Sequence, residues 1–401
     1  MNDSCRHVIT ISNVDIVFGK VKATRQALAL LDKGMDRDAI LASTNAVLGV
    51  AGANLTVNAG EICVLMGLSG SGKSTLLRAV NGLSRVTRGA VLLEYNGKVV
   101  DVAKCSSLVM KKIRQRHVAM VFQQVALFPW RTVRENVGFG LEIGSIPYSE
   151  CRRVVDEKLE LVGLSQWGDK LVGELSGGMQ QRVGLSRALA TNAEILLMDE
   201  PFSALDPLMR NKLQDALLEL QAKLRKTILF VSHDLDEALK LGSHIAVMDG
   251  GKIVQDGTPE EIVVSPANGY VRDFVSRVNP LSVFTACKVM RGSNELKSTG
   301  DGWKWLEDGM VTSLKVDDNG FIVACKSHDR PVKHLLCDDS ESRDWCTESR
   351  DVVFIVSAMS SLRFVLTLMQ HNLASVAVVD DDHRFIGAVT VNDVMTAVLK
   401  R

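Results

Sequence analysis

Gly67-Leu68-Ser69-Gly70-Ser71-Gly72-Lys73-Ser74-Thr75 is the stretch that decides the fold. It fits the pattern G-x-x-x-x-G-K-[ST], in which glycines let successive backbone N–H groups wrap a phosphate chain with no Cβ in the way. The helix opening at Lys73 points its positive end at the same anion. Lys73 is placed to reach the terminal phosphates, and the Ser74 hydroxyl to ligate Mg²⁺. The apolar run Ile62–Met66 leads straight into the loop, and Lys73–Asn81 reads as a helix. Strand, glycine loop and helix in that order open a nucleotide-binding α/β domain.

Working outward, short continuous apolar runs recur at Val118–Phe122, Ile195–Met198, Ile228–Val231 and Ile245–Met248. Such runs suit parallel strands buried on both faces. Ligands of open α/β sheets bind beyond the carboxyl ends of the strands. There stand Gln123, the pair Asp199-Glu200, and His233. Any of these alone reads as an ordinary loop residue; delivered to one rim with the phosphate loop, they read as a site. Asp199 is placed to hold Mg²⁺ through water, and Glu200 to orient and deprotonate an attacking water. Residues 7–18 read as a strand, 24–43 as two short helices, and 126–190 as mainly helical. Asp249-Gly250-Gly251 reads as a hairpin turn.

Two further helix starts carry a double meaning. Asp206-Pro207 suits an N-cap followed by the first helical position of a helix over 207–224. In Leu175-Ser176-Gly177-Gly178-Met179-Gln180, Ser176 is either a simple cap or part of a second anion site at a helix N-terminus. Two phosphate sites this far apart in one chain suit a head-to-tail pair, each site meeting the other chain's loop.

The 401 residues are too many for one ordinary core and imply two or three domains. Lys plus Arg and Asp plus Glu are 47 each, which speaks against a general nucleic-acid binder. No run approaches the roughly 18 apolar residues of a membrane span, and the N-terminus lacks the pattern of a secretory signal. None of the eight cysteines sits in a CxxC pair, so free thiols of a reducing compartment are expected. Composition changes near Asn279-Pro280, which divides the chain into 1–279 and 280–401.

Taken in order, the phosphate loop 67–75, Gln123, LSGGMQ 175–180, ILLMDEP 195–201, SALD 203–206 and His233 resemble the ABC ATPase family, with a match running from residue 7 to about 278. The resemblance implies an α/β P-loop NTPase with a helical subdomain over about 126–190. Two copies would sandwich two ATP molecules with Mg²⁺. The backbone and side chains of Gly67, Ser69, Gly70, Gly72, Lys73, Ser74 and Thr75 would hold the phosphates, and Ser74, Gln123 and Asp199 the metal. Glu200, His233 and Gln123 would be the catalytic set. Ser176, Gly177, Gly178, Gln180 and Asp206 would face the opposite copy. Family members usually stack the adenine on an aromatic residue shortly before the phosphate loop. Here residues 19–66 contain no Phe, Tyr or Trp, so Phe18 either takes that part or is a core residue.

The helical stretch after Phe18, with VAMVFQQVALFPWRTVRENVGFGLE and QDGTPEEIVVSPANGYVRDFV, resembles the glycine betaine, proline and choline uptake branch. The wording of ALALLDKG and FPWRTVRENVGFG is nearest to choline importer ATPases. The resemblance implies membrane permease subunits and, through them, a substrate-binding protein as partners, at the cytoplasmic face of a bacterial inner membrane. Alternatives are an importer of another small solute and an ABC ATPase not tied to transport. Phe128-Pro129-Trp130 either meets the permease or fills the helical subdomain. Residues 353–399 resemble a CBS module, a βαββα unit, in which Thr390 and Asp393 would contact a nucleotide's phosphate and ribose. Residues 281–336 read as a degraded first module of a tandem α+β domain, with Asp329 kept and Lys326 where the Thr would stand.

Overall fold

The computed structural model describes residues 6–144, 146–276, 281, 284–299, 302–309, 311–339, 352–372 and 375–399. The chain forms two compact units, Met1–Val275 and Ser276–Arg401.

The first unit opens with β1 (His7–Phe18), the helical pair α1 (Val21–Leu31) and α2 (Arg37–Thr44), and β2 (Val47–Asn58). Then come β3 (Ile62–Met66), α3 (Lys73–Val80), β4 (Arg88–Tyr95), β5 (Lys98–Asp101), α4 (Ser107–Arg116) and β6 (Val118–Val121). A helical section follows: α5 (Val133–Ile143), α6 (Tyr148–Leu161) and α7 (Gly177–Ala190). The unit closes with β7 (Ile195–Asp199), α8 (Pro207–Leu224), β8 (Thr227–Val231), α9 (Leu235–Leu241), β9 (His244–Asp249), β10 (Lys252–Gly257), α10 (Pro259–Val264) and α11 (Gly269–Val275).

β3, β7, β8 and β9 with β6 form the parallel part of a six-stranded sheet in the order β10-β9-β3-β8-β7-β6, with β10 antiparallel at its edge. Every residue of β3, β7 and β8 is buried, as their unbroken apolar runs require. A second sheet, β2-β1-β4-β5, is antiparallel throughout. The alternation of residues 7–18 foreshadows one of its strands; β2, β4 and β5 are additions that the structure brings. Both sheets share one core around α3. Leu76 and Leu77 of that helix are fully buried in one cluster with Ile9 of β1, Leu93 of β4, Leu65 of β3 and Leu229 of β8. α1 and α2 have a small core of their own, where Ala27 and Ile40 meet Val17, Ala46 and Leu48.

The β9–β10 turn is Gly250-Gly251, with φ of +53° and +89°, the left-handed pair that a two-residue hairpin needs. Gly251 N–H donates to the Ser71 carbonyl at 3.1 Å, and its own carbonyl accepts from Ala51 N–H at 2.8 Å.

In the second unit, α12 (Ala286–Val289), β11 (Arg291–Gly292), β12 (Trp303–Trp305), β13 (Thr312–Val316), β14 (Ile322–Ser327) and β15 (Arg330–Cys337) precede β16 (Val352–Ser357), α13 (Leu362–Asn372), β17 (Val376–Val379), β18 (Phe385–Val389) and α14 (Val391–Leu399). The eight strands make one sheet. Phe354 and Val356 of β16 face a cluster with Leu362 and Val365, while Val353 and Ile355 face another with Leu306 and Leu314. The half up to Cys337 departs from the expected degraded βαββα unit. β13, β14 and β15 are an antiparallel meander, His328 and Asp329 form its left-handed turn (φ 49° and 62°), and a strand instead of a helix follows Asp329. The reason is tertiary: β15 pairs with β14 on one side and, in parallel, with β16 on the other. Lys326 lies 4.2 Å from the centre of the Trp303 ring, a cation–π contact instead of a ligand position.

A charged cluster ties the residue before β3, the start of β9 and the edge strand β10. His244 at the start of β9 is 2.8 Å from Glu61 and also bonds Asp256 of β10. The hydrogen bond to Asp256 first, then Cys63 and Glu61, push the imidazole up to about 12 against the cost of burial. Burial raises the Glu61 carboxyl, but His244 and Asn58 outweigh it and hold the group below its ordinary value of 4.5. A raised His contributes stability that is complete below its unfolded value of 6.5 and is lost as pH climbs toward 12. A depressed Glu contributes above 4.5 and loses its part as pH falls. The cluster is therefore most stabilising between these two values. His244→Gln is expected to cost about 2–3 kcal/mol at pH 6 and clearly less at pH 9, measured by urea unfolding at both.

Candidate active site

The phosphate loop is shaped by crowding. A Cβ at Gly67 (φ +141°) would stand 2.1 Å from the Met248 carbonyl, and one at Gly72 (φ +103°) would stand 2.4 Å from the Gly49 carbonyl. Only glycine fits either place. Gly72 precedes α3, so its backbone hands the helix N-terminus to the loop. Lys73 is 5% exposed, and its Nζ donates to the carbonyls of Gly67 at 2.7 Å and Leu68 at 2.9 Å. Burial lowers the Lys73 ammonium below its ordinary value, with Glu200 and Asp199 opposing.

Asp199, at the end of β7, is fully buried. It accepts from the Ser74 hydroxyl at 2.7 Å and from Arg78 at 2.9 Å. Hydroxyl and carboxylate beside a phosphate loop are hard oxygen donors of the kind Mg²⁺ takes, so the residues present fit the metal. Ser74 and Asp199 would hold it, and it would neutralise charge on the phosphates.

Glu200 holds an unusual backbone position, with φ +48°. Its N–H donates to Val231 of β8 at 3.1 Å, which fixes the turn against the sheet. Its carboxylate accepts from Gln123 Nε2 at 3.1 Å and lies 3.3 Å from His233 Nδ1. Three strand ends thus meet at one carboxylate. Glu200 and Gln123 line a cleft of about 260 Å³ with Phe18, Lys73, Ser74 and Thr75. Phe18 is 46% exposed at this cleft and is therefore no core residue.

The ABC transporter family profile matches residues 50–203, and the CBS domain profile matches 347–400. The chain is 40% identical, over 95% of itself and 95% of the relative, to the glycine betaine/proline betaine transport system ATP-binding protein ProV of Salmonella typhimurium. The chain belongs to the ABC transporter ATP-binding subunits. A glycine betaine/carnitine transport ATP-binding protein of Listeria monocytogenes, GbuA, is 49% identical over 70% of each chain. Among solved structures, the dimeric cassette MJ0796 with ADP and Pi, in a post-hydrolysis state, is 28% identical with a TM-score of 0.53 over 63% of this chain and 98% of that one. The chain is accordingly an ABC ATPase, a subunit that hydrolyses ATP. Among the described residues, no helix is long and apolar enough to cross a membrane.

The remaining expected site residues fall outside this cleft. Ser176 caps α7 by accepting from Met179 N–H at 3.4 Å, and it is exposed together with Gly177. Gly178 is half-buried against the Ala204 carbonyl. Asp206 caps α8 by accepting from Met209 N–H at 3.0 Å. Gln180 donates back to Val172 and Leu175. In the second unit Thr390 and Asp393 engage each other: the Thr390 hydroxyl donates to Asp393 at 2.6 Å, and Asp393 N–H donates back to that hydroxyl at 3.2 Å. This is a helix cap for α14, with Arg291 beside the carboxylate at 3.3 Å.

One participant escaped the sequence reading. Gln181, next to the residue singled out, is 2% exposed. It donates to the Glu200 carbonyl at 3.0 Å and accepts from Ala204 N–H at 2.9 Å. It joins α7 to the turn that carries Glu200. The available signal was its helical phase, since Gly184, Leu185 and Ala188 on the same face are all buried. Gln181→Leu strands both backbone partners. It is expected to destabilise the chain by about 1–3 kcal/mol and to lower kcat at least tenfold at nearly unchanged ATP affinity, read by steady-state ATPase assay and calorimetry.

Proposed function

We propose that this chain is the motor subunit of an importer for a quaternary amine, working as a pair of copies that close on two ATP molecules. The observation that carries the reading is the convergence of Gln123 and His233 on Glu200 beside the Ser74–Asp199 pair. Glu200 accepts the proton of the attacking water, His233 and Gln123 orient it, and Lys73 with the loop N–H groups stabilises charge on the phosphates. Ser176 and Gly178 lie outside the chain's own cleft, which suits a role opposite a second copy, and a relative of the same fold is dimeric.

The cargo reading rests on resemblance, since no group of this chain meets a transported solute in the mechanism. ProV and GbuA carry glycine betaine in their names, with proline betaine or carnitine beside it. The stretches ALALLDKG and FPWRTVRENVGFG favour choline within the same chemical class. The CBS-like unit is read as regulatory.

Exposure supports one surface for the membrane subunit. An apolar cleft of about 270 Å³ is lined by Leu83, Phe122, Phe139 and Ile143. Leu83 is 50% and Ile143 46% exposed, large apolar side chains at the mouth of one hollow. Phe128 packs on Phe139 at 4.6 Å between ring centres, while Trp130 is 73% exposed. Phe128 thus fills the subdomain and Trp130 faces outward. Ile143→Glu is expected to abolish uptake and co-purification with the membrane subunits while leaving ATP binding by the isolated chain intact.

The deciding experiment is labelled choline uptake in cells carrying the wild-type chain or Glu200→Gln, with glycine betaine and proline as competitors. Loss of uptake in the variant, with competition by choline alone, supports the choline importer. Competition by glycine betaine moves the cargo within the class. Purified Glu200→Gln is expected to bind ATP, accumulate as a closed dimer and turn over at least a hundredfold more slowly. Normal turnover would overturn the mechanism.

A further inference from the structure

The nucleotide cleft has two kinds of wall. One kind comprises the groups assigned to phosphate and water, Lys73, Ser74 and Glu200 among them. The other comprises Phe18 of β1, Arg37 of α2, and Val47 and Gly49 of β2, which line the same cleft and have no part in that chemistry. If the phosphates take the first wall, the base and ribose of a nucleotide fall to the second. Phe18 is close to this end of α3: a Cβ at Gly49 would stand 2.8 Å from the Phe18 ring and 3.3 Å from the Thr75 methyl.

Arg37 comes from the helical pair inserted between β1 and β2, a stretch without any aromatic residue. Its place is fixed from both directions. Asp36 caps α2 by accepting from Ala39 N–H at 2.8 Å, and Ile40 anchors the helix in its small core. The guanidinium Nη1 donates to the Gly70 carbonyl at 2.7 Å. Arg37, Ser69 and Gly70 also border a second hollow, of about 640 Å³, that contains Asp249 and Lys252 but none of the hydrolytic residues. Arg37 therefore stands at the crest of the phosphate loop, on the partition between the two hollows. A cation in the first turn opposes the helix dipole, so stability of α2 does not account for it. The bond to Gly70 takes one of five N–H donors and leaves a planar, weakly hydrated group at the cleft.

We propose that Arg37 binds the nucleoside half of ATP, its guanidinium plane lying against the purine across from Phe18. The inserted helical pair then supplies as a cation–π wall what the chain lacks as a second aromatic ring. This deepens the ATPase reading and rests on it.

The test compares two ligands on the full chain by calorimetry: a non-hydrolysable ATP analogue and inorganic tripolyphosphate, each with Mg²⁺. Arg37→Ala is expected to weaken the ATP analogue roughly three- to thirty-fold and to leave tripolyphosphate unchanged. In steady state KM for ATP rises by the same factor with kcat retained. Arg37→Lys keeps the charge and a donor but loses the stacked plane, so it shows a smaller loss that is selective in the same way. It carries the test if Arg37→Ala melts early. Equal weakening of both ligands would place Arg37 on the phosphates, and unchanged affinity for the ATP analogue would leave it a brace for the loop; either result overturns the proposal. Failure of the wild-type chain to bind the ATP analogue would instead refute the ATPase reading itself.

Discussion

The phosphate loop is held between two carbonyl oxygens, and most of the first unit is arranged to keep them there. The Met248 carbonyl of β9 leaves no room for a side chain at Gly67, and the Gly49 carbonyl of β2 leaves none at Gly72. One carbonyl belongs to the parallel sheet and the other to the antiparallel sheet. The loop can take its anion-binding shape only if both sheets are in register about α3, and the shared core of Ile9, Leu65, Leu76 and Leu93 fixes that register. Crowding of this sort contributes little energy by itself. It excludes other loop shapes and so prepares backbone N–H groups for a ligand before it arrives.

The same economy of contact governs the reacting end. Glu200 has its backbone hydrogen-bonded to β8 and to Gln181 of α7, and its carboxylate to Gln123. A residue held in the left-handed region persists only where its surroundings over-determine it. Here β8, α7 and Gln123 beyond the end of β6 do so. Arg78 and Ser74 likewise fix both oxygens of the buried Asp199, which keeps a charge in the interior by satisfying it.

How much of this was legible in the sequence depended on burial. β3, β7 and β8 are plain because both faces are covered, so that all but Asp199 at the end of β7 and Thr227 at the start of β8 are apolar. The helix caps at Ser176 and Asp206 were plain because capping is local chemistry. β2 was not: VLGVAGANLTVN mixes glycine and asparagine with apolar residues, and its pairing with β1 shifts register several times, so no clean period survives. Asp329 misled for a related reason. A motif-like residue was read by position, while its surroundings place it in a hairpin between strands paired on both sides. Gln181 went unnoticed because a buried amide looks like any surface amide until the helix phase is drawn. Lys326 shows that what a side chain touches is set by its strand neighbours, here the Trp303 ring.

The Gly250-Gly251 turn bears on how this chain can be cut and re-joined. Hairpin tips are ordinarily the permissive places of a fold, where tags, sensor domains or new termini are tolerated. This one is wedged inward: Gly251 is buried and bonded both to Ser71 in the phosphate loop and to Ala51 in the other sheet. One residue is at once the end of a strand pair, a buttress of the anion loop and a stitch between sheets. An engineer choosing insertion points from a secondary-structure diagram would pick this tip early, and the geometry marks it as among the least accommodating in the unit.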